Sequence, residues 1–143
     1  MSHSAKLDRF VAYFETLDRA AVARVPEYYT ADAFFKDPFN EVRGIVPIQR
    51  VFAHMFEQVD APRFAVTARF VDGDDAMLTW DFSFGRAPGA PRMLIRGASH
   101  VRFAADGRCR HHRDYWDAAE ELYEKVPLLG ALVRALKRRL QAR

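Results

Sequence analysis

The second half of the chain contains four stretches, residues 63–71, 76–86, 92–104 and 108–116, in which side chains alternate with period two. Asp72-Gly73-Asp74, Ala87-Pro88-Gly89-Ala90-Pro91 and Asp106-Gly107 stand between them, all turn sequences. The first and third connections read as tight hairpins, the middle one as a longer loop stiffened by proline. Successive strands joined this way pair antiparallel, and the alternation covers one face of the sheet. That face needs a partner, and the first half of the chain supplies one. Residues 5–17 place Leu7, Phe10, Val11, Phe14 and Leu17 at helical spacing. A short helical pattern follows from Ala20 to Tyr29, then a short strand, Ala33-Phe34-Phe35-Lys36, stopped at Asp37-Pro38. Gly44 opens a stronger helix with Ile45, Ile48, Val51, Phe52, Met55, Phe56 and Val59 on one side and Pro47 in its first turn.

Helices first and a run of strands afterwards specify the α+β class, with a curved antiparallel sheet wrapped around the N-terminal helices. The mouth of such a cone is a natural place for an apolar ligand cavity. Half of the 143 residues are apolar and 12 are Phe, enough for one sizeable core, so a single domain over 1–143 is expected. Net charge is +3, with the excess at the C-terminus and no nucleic-acid-binding motif behind it. The one cysteine, Cys109, excludes an intrachain disulfide framework and a thiolate metal cluster. No apolar run is long enough to span a membrane, and the start (MSHSAKLDRF) has no apolar signal core, so a cytoplasmic location is expected. The last helical stretch runs from Asp117 to about Gln141, broken near Pro127. Its leucines (Leu128, Leu129, Leu132, Leu136, Leu140) oppose Arg134, Lys137 and Arg138. The expectation is a helix packed on its own domain or across a dimer; contact with an anionic membrane is the rarer use of the pattern.

Two places concentrate chemistry. Asp37 follows a run of aromatics, Tyr28, Tyr29, Phe34 and Phe35. A carboxylate in an apolar wall is poorly hydrated and suited to acid or base work, but Asp-Pro also starts turns in which the carboxylate accepts backbone N–H bonds. The last strand holds His111-His112-Arg113-Asp114-Tyr115-Trp116. Alternation puts His112, Asp114 and Trp116 on one face and His111, Arg113 and Tyr115 on the other. If the first trio faces the helices, an imidazole and a carboxylate share a pocket; if it faces out, it is a solvated ladder or part of a dimer interface. The two histidines cannot serve one metal from a regular strand, so no metal is expected. Trp80, Phe82 and Phe84 share a face as core or pocket wall, and Ser99 is the polar group among Val101 and Phe103. Tyr13 lies at the flank of the first helical stripe, where a phenol reaches a cavity or snorkels to water.

The run Tyr28-Tyr29-Thr30-Ala31-Asp32-Ala33-Phe34-Phe35-Lys36-Asp37-Pro38, with the closing Asp106-Gly107 and His112-Arg113-Asp114-Tyr115-Trp116-Asp117, resembles the SnoaL-like branch of the nuclear transport factor 2-like superfamily. That superfamily includes ketosteroid isomerases, polyketide cyclases, limonene epoxide hydrolases and non-catalytic members. The resemblance covers roughly residues 5–120 and implies a cystatin-like cone with a C-terminal helical extension over about 118–141. By resemblance, Asp37 stands where the isomerases hold their general base. Tyr13 or Phe10 stands at their oxyanion tyrosine, and Ser99 where they hold a protonated acid. The cyclases place a carboxylate on a late strand, where this chain has Asp114. The expected site is therefore Asp37, Asp114, His112 and Tyr13 for chemistry, with Ser99, Trp116, Trp80, Phe35, Phe56 and Val101 as ligand wall. The expected ligand is a small hydrophobic molecule, handled without a cofactor, and the expected assembly is a homodimer. A binding or dimerisation module without catalysis is the alternative.

Overall fold

The computed structural model describes residues 1–123 and 127–142. Helix α1 (His3–Glu15) starts at Ser2, whose hydroxyl accepts from the Ala5 amide at 3.0 Å, and buries Leu7, Phe10, Val11 and Phe14. A 3-10 turn (Ala20–Arg24) and the short α2 (Val25–Tyr28) lead into β1 (Tyr29–Lys36). Strand β2 (Glu41–Arg43) precedes α3 (Ile45–Gln58), which starts at Gly44. With φ at +101°, Gly44 occupies a region that L side chains rarely adopt. Then come β3 (Asp60–Asp72), β4 (Asp75–Gly85), β5 (Arg92–Phe103) and β6 (Cys109–Tyr115), followed by α4 (Ala118–Glu121) and α5 (Pro127–Leu140).

The six strands form one curved, unclosed sheet in the order β2-β1-β6-β5-β4-β3. Strands β3 to β6 form a meander of antiparallel pairs, as the turn sequences require. Helix α1 packs on β3, and α3 lies over both β1 and β3, so two helices fill the concave side. The core is their shared interface: Leu7, Phe10 and Val11 of α1, Ile48 and Phe52 of α3, and Ala33, Phe35, Leu78 and Val101 of the sheet. Each such side chain contributes roughly 1.5–3 kcal/mol by leaving water.

Three features differ from the sequence expectation. Tyr29 belongs to a strand rather than to the end of a helical stretch. Residues 41–43 form a strand of their own, folded back on β1 with Phe35 opposite Val42. Strand β1 lies parallel to β6, with Phe35 opposite His112, while every other neighbouring pair is antiparallel. A parallel partner 80 residues away has no local turn to announce it.

At the C-terminus, Asp117 caps α4 by accepting from the Glu120 amide at 3.1 Å. The expected continuation of that helical stretch through residues 124–126 lies outside the described residues. The expectation that the leucine stripe packs on its own domain is corrected. Leu128 is 87% exposed, Leu132 67% and Leu140 78%, so the chain itself does not cover that face. No helix among the described residues is long and apolar enough to cross a membrane.

Candidate functional site

Register decides which groups meet on the concave face. His112 on β6 lies between Phe35 of β1 and Val101 of β5, and Asp114 lies opposite Ser99. Trp80 on β4 lies opposite Gly97. A Cβ at residue 97 would overlap the indole, so Gly97 is what lets that ring lie across the sheet.

These residues form one chain of hydrogen bonds. Trp80 Nε1–H donates to Ser99 Oγ at 2.8 Å, and the Ser99 hydroxyl donates to Asp114 Oδ1 at 2.5 Å. His112 Nε2 is 2.6 Å from the same Oδ1, and its Nδ1 is 2.7 Å from the Tyr29 hydroxyl. Tyr29 is fully buried, and its hydroxyl has no other partner among the described residues. A buried O–H left undonated is costly, so it donates to Nδ1. With that donor on Nδ1, the imidazole turns its Nε2–H to Asp114. Burial, aided by Cys109 and Asp114, pushes the Tyr29 phenol well above its ordinary range, so it stays a donor. The rings of Phe10, Phe14 and Phe35 meet the imidazole edge-on, at 5.5, 5.5 and 4.9 Å between centroids. The imidazole has no room to swing.

Both described hydrogen bonds to Asp114 end on Oδ1. Among the described residues no buried side-chain oxygen or nitrogen lacks a partner, so Oδ2 is accessible. Asp114 borders a cavity of about 320 Å³ between the sheet, α1 and α3. The walls are aromatic and aliphatic: Phe14, Phe35, Phe52, Phe64, Trp80 and Phe84 among others. Asp37, Asn40, Gln58, Ser99, His112 and Asp114 are the polar groups that matter along it.

Asp37 takes the turn-closing role that its sequence offered. Its Oδ1 accepts from the amides of Phe39 and Asn40, at 2.8 and 2.6 Å, and from Asn40 Nδ2 at 3.1 Å. The carboxylate closes its own turn and also borders the cavity. Trp116 borders it too, in a T-shaped pair with the Phe39 ring at 5.6 Å between centroids.

Of the residues expected at the site, Asp37, Asp114, His112, Ser99, Trp116, Trp80 and Phe35 border this cavity, and three do not. Tyr13 points away: its hydroxyl donates to the Ala21 carbonyl at 2.7 Å and its ring stacks on Tyr28 at 4.0 Å. Phe10, one helical step before it, takes the cavity side. Phe56 lies beneath the guanidinium of Arg19, which bonds its carbonyl at 2.8 Å. Val101 is wholly buried in the core beside His112. Tyr29 is the member that the sequence reading missed. The alternation that buries Ala33 and Phe35 breaks at the exposed Ala31 and at a register shift before Phe34, so it does not lead back to Tyr29. Among the described residues no three His, Cys, Asp or Glu side chains gather as a metal-binding group.

The SnoaL-like domain family matches residues 10–112. The chain belongs to that family. This SnoaL-like chain also resembles solved structures at low identity, which shows a common fold. One is a protein of ketosteroid isomerase-like fold from Catenulispora acidiphila, solved with trimethylamine: 13% identity, TM-score 0.68, covering 82% of this chain and 88% of that one. A candidate SnoaL-like polyketide cyclase from Jannaschia gives 16% identity and TM-score 0.67, covering 82% and 87%. A candidate isomerase of the SnoaL-like family from Agrobacterium tumefaciens gives 15% and 0.65, covering 80% and 97%. No curated protein matches the chain.

Proposed function

We propose that this SnoaL-like protein binds a small, largely hydrophobic carbonyl compound in the cavity, and that Asp114 moves a proton on it without a cofactor. The observation that carries the reading is the asymmetry of Asp114. Its Oδ1 is held by Ser99 and His112, its Oδ2 takes no hydrogen bond among the described residues, and the residue borders a cavity whose wall is otherwise mostly apolar. Held groups need no reorganisation at the moment of reaction, and a charge acts more strongly where water is scarce. Oδ2 would take the proton from the carbon next to the carbonyl and return it to a second carbon. The Ser99 and His112 hydrogens are already given to Asp114. The developing oxyanion therefore falls to the Trp116 indole N–H or the Gln58 amide, which have no side-chain hydrogen bond among the described residues. Asp37, on the same cavity, is the second proton acceptor.

The test is deuterium exchange at positions next to the carbonyl, followed by NMR across a panel of cyclic ketones. Asp114→Asn is expected to slow exchange by about 10²- to 10⁴-fold. Full exchange in both Asp114→Asn and Asp37→Ala would reject the scheme. A binding module without catalysis is the second reading, favoured by Ser99 occupying the place of the isomerases' acid. Ligand-induced thermal stabilisation with no exchange for any ketone would select it. The expected homodimer belongs to the proposal through the outer face, where Phe70 (63% exposed), Met77 and Tyr115 stand together. Sedimentation should give a dimer mass, reduced to a monomer by Phe70→Glu.

A further inference from the structure

The cavity wall carries two carboxyl side chains. Asp37 and Asp114 border it, and among the described residues no Lys or Arg does. The nearest cations lie on an adjoining outer cleft that the two aspartates also border. There Lys36 is paired with Glu41 at 3.2 Å, and the Arg113 guanidinium lies over the Tyr115 ring at 4.6 Å. His112 meets Asp114 through Nε2 and the Tyr29 hydroxyl through Nδ1, so both of its ring nitrogens are occupied away from the cavity space. His54, at the rim, sits 3.7 Å from Glu57.

A neutral apolar ligand entering this space would strip water from a carboxylate and give nothing back, which is costly. A cationic ligand offsets that loss. The surrounding rings favour the same charge, since the face of an aromatic ring carries negative potential and attracts ammonium groups. Trp116, just past the end of β6, borders the cavity beside Asp114, and its ring forms a T-shaped pair with Phe39. We propose that the ligand class is an apolar molecule carrying a protonated or quaternary amine, its nitrogen on the side of the cavity held by Asp114, Asp37 and Trp116. This rests on the cavity being the ligand site, and it deepens that reading. It is compatible with the proton transfer, because a cationic nitrogen beside a carbon makes that carbon's proton more acidic.

The probes are phenyltrimethylammonium and its neutral isostere tert-butylbenzene, compared by ligand-observed NMR titration of the whole chain at pH 7.5. The two have the same shape and differ only in charge. The cation is expected to bind at least about tenfold more tightly, an advantage that shrinks as salt rises. Asp114→Asn, which keeps the acceptor oxygen, is expected to reduce the advantage to about twofold, and Asp37→Asn to reduce it less. Equal or tighter binding of the neutral probe overturns the amine inference and leaves the cavity as a ligand site. Binding of neither probe, nor of any ketone, removes both. A cation preference undiminished in either variant places the charge elsewhere and also overturns it. The cation-to-isostere ratio and its salt dependence on the unaltered protein decide the matter even if Asp114→Asn does not fold.

Discussion

His111 and His112 are neighbours in the chain and opposites in circumstance. His112 points into the concave side, where its side chain is 4% exposed and both ring nitrogens are bonded. His111 points outward, stacked on Phe34 at 5.2 Å and beside His100 at 5.3 Å. On that outer face His100 and Arg102 bond Asp75 at 2.9 and 2.8 Å, with both partners partly in water. Each face thus carries a histidine–carboxylate arrangement. Around the buried imidazole an unmade bond is felt at close to full cost; outside, water replaces whatever is lost. Chemistry that depends on held protons belongs to the inner set for that reason.

The sharpest way to break this comparison is His112→Ala. It orphans the Tyr29 hydroxyl and leaves a void among three phenyl rings, so a loss of about 2–4 kcal/mol is expected in chemical denaturation. A loss below about 1 kcal/mol would mean that the inner network is no more demanding than the outer one. Gly97→Ala comes next. The new methyl displaces the Trp80 indole from Ser99, with a cost of about 1–3 kcal/mol and a shifted tryptophan emission as the readout. Tyr29→Phe removes one oxygen and leaves His112 Nδ1 without a donor, for about 1–2 kcal/mol.

His111→Gln should be the mildest, within about 0.5 kcal/mol at pH 8. Its signature is a pH profile. Burial first, then the charges of His100 and Arg102, hold His111 below the usual 6.5, so the folded state prefers its neutral form. That contribution is present above 6.5 and is lost as pH falls through the lowered folded value. Thermal unfolding of the unaltered protein from pH 8 to 5 should therefore show a decline that the Gln variant partly removes. Asp75, lowered by hydrogen bonds from Arg102 and His100, contributes only above 3.8 and is lost below it, so it leaves this window flat. Identical pH profiles for the two proteins would place the titration elsewhere.

Much of this was legible from alternation. The separation of His112, Asp114 and Trp116 from His111, Arg113 and Tyr115 follows from period two once one face is known to be covered, and Trp80 and Ser99 follow by the same rule. What alternation could not give is who sits opposite whom. Tyr29 and His112 are 83 residues apart, and they meet because β1 lies parallel beside β6. Tyr13 misled because a residue at the flank of a helical stripe turns either way. Here the Ala21 carbonyl captured its hydroxyl.

The chain's residue pattern alone determined the class of fold and which strand residues share a face, and it offered the turn that Asp37 closes, because these depend on neighbours within a few positions. Tertiary structure decided that Oδ1 of Asp114 would be held while Oδ2 stayed accessible, and that the leucines of α5 would stay uncovered. Hydrogen-bond partners and packing surfaces come from elements far apart in sequence, and only their assembly fixes the distances between them.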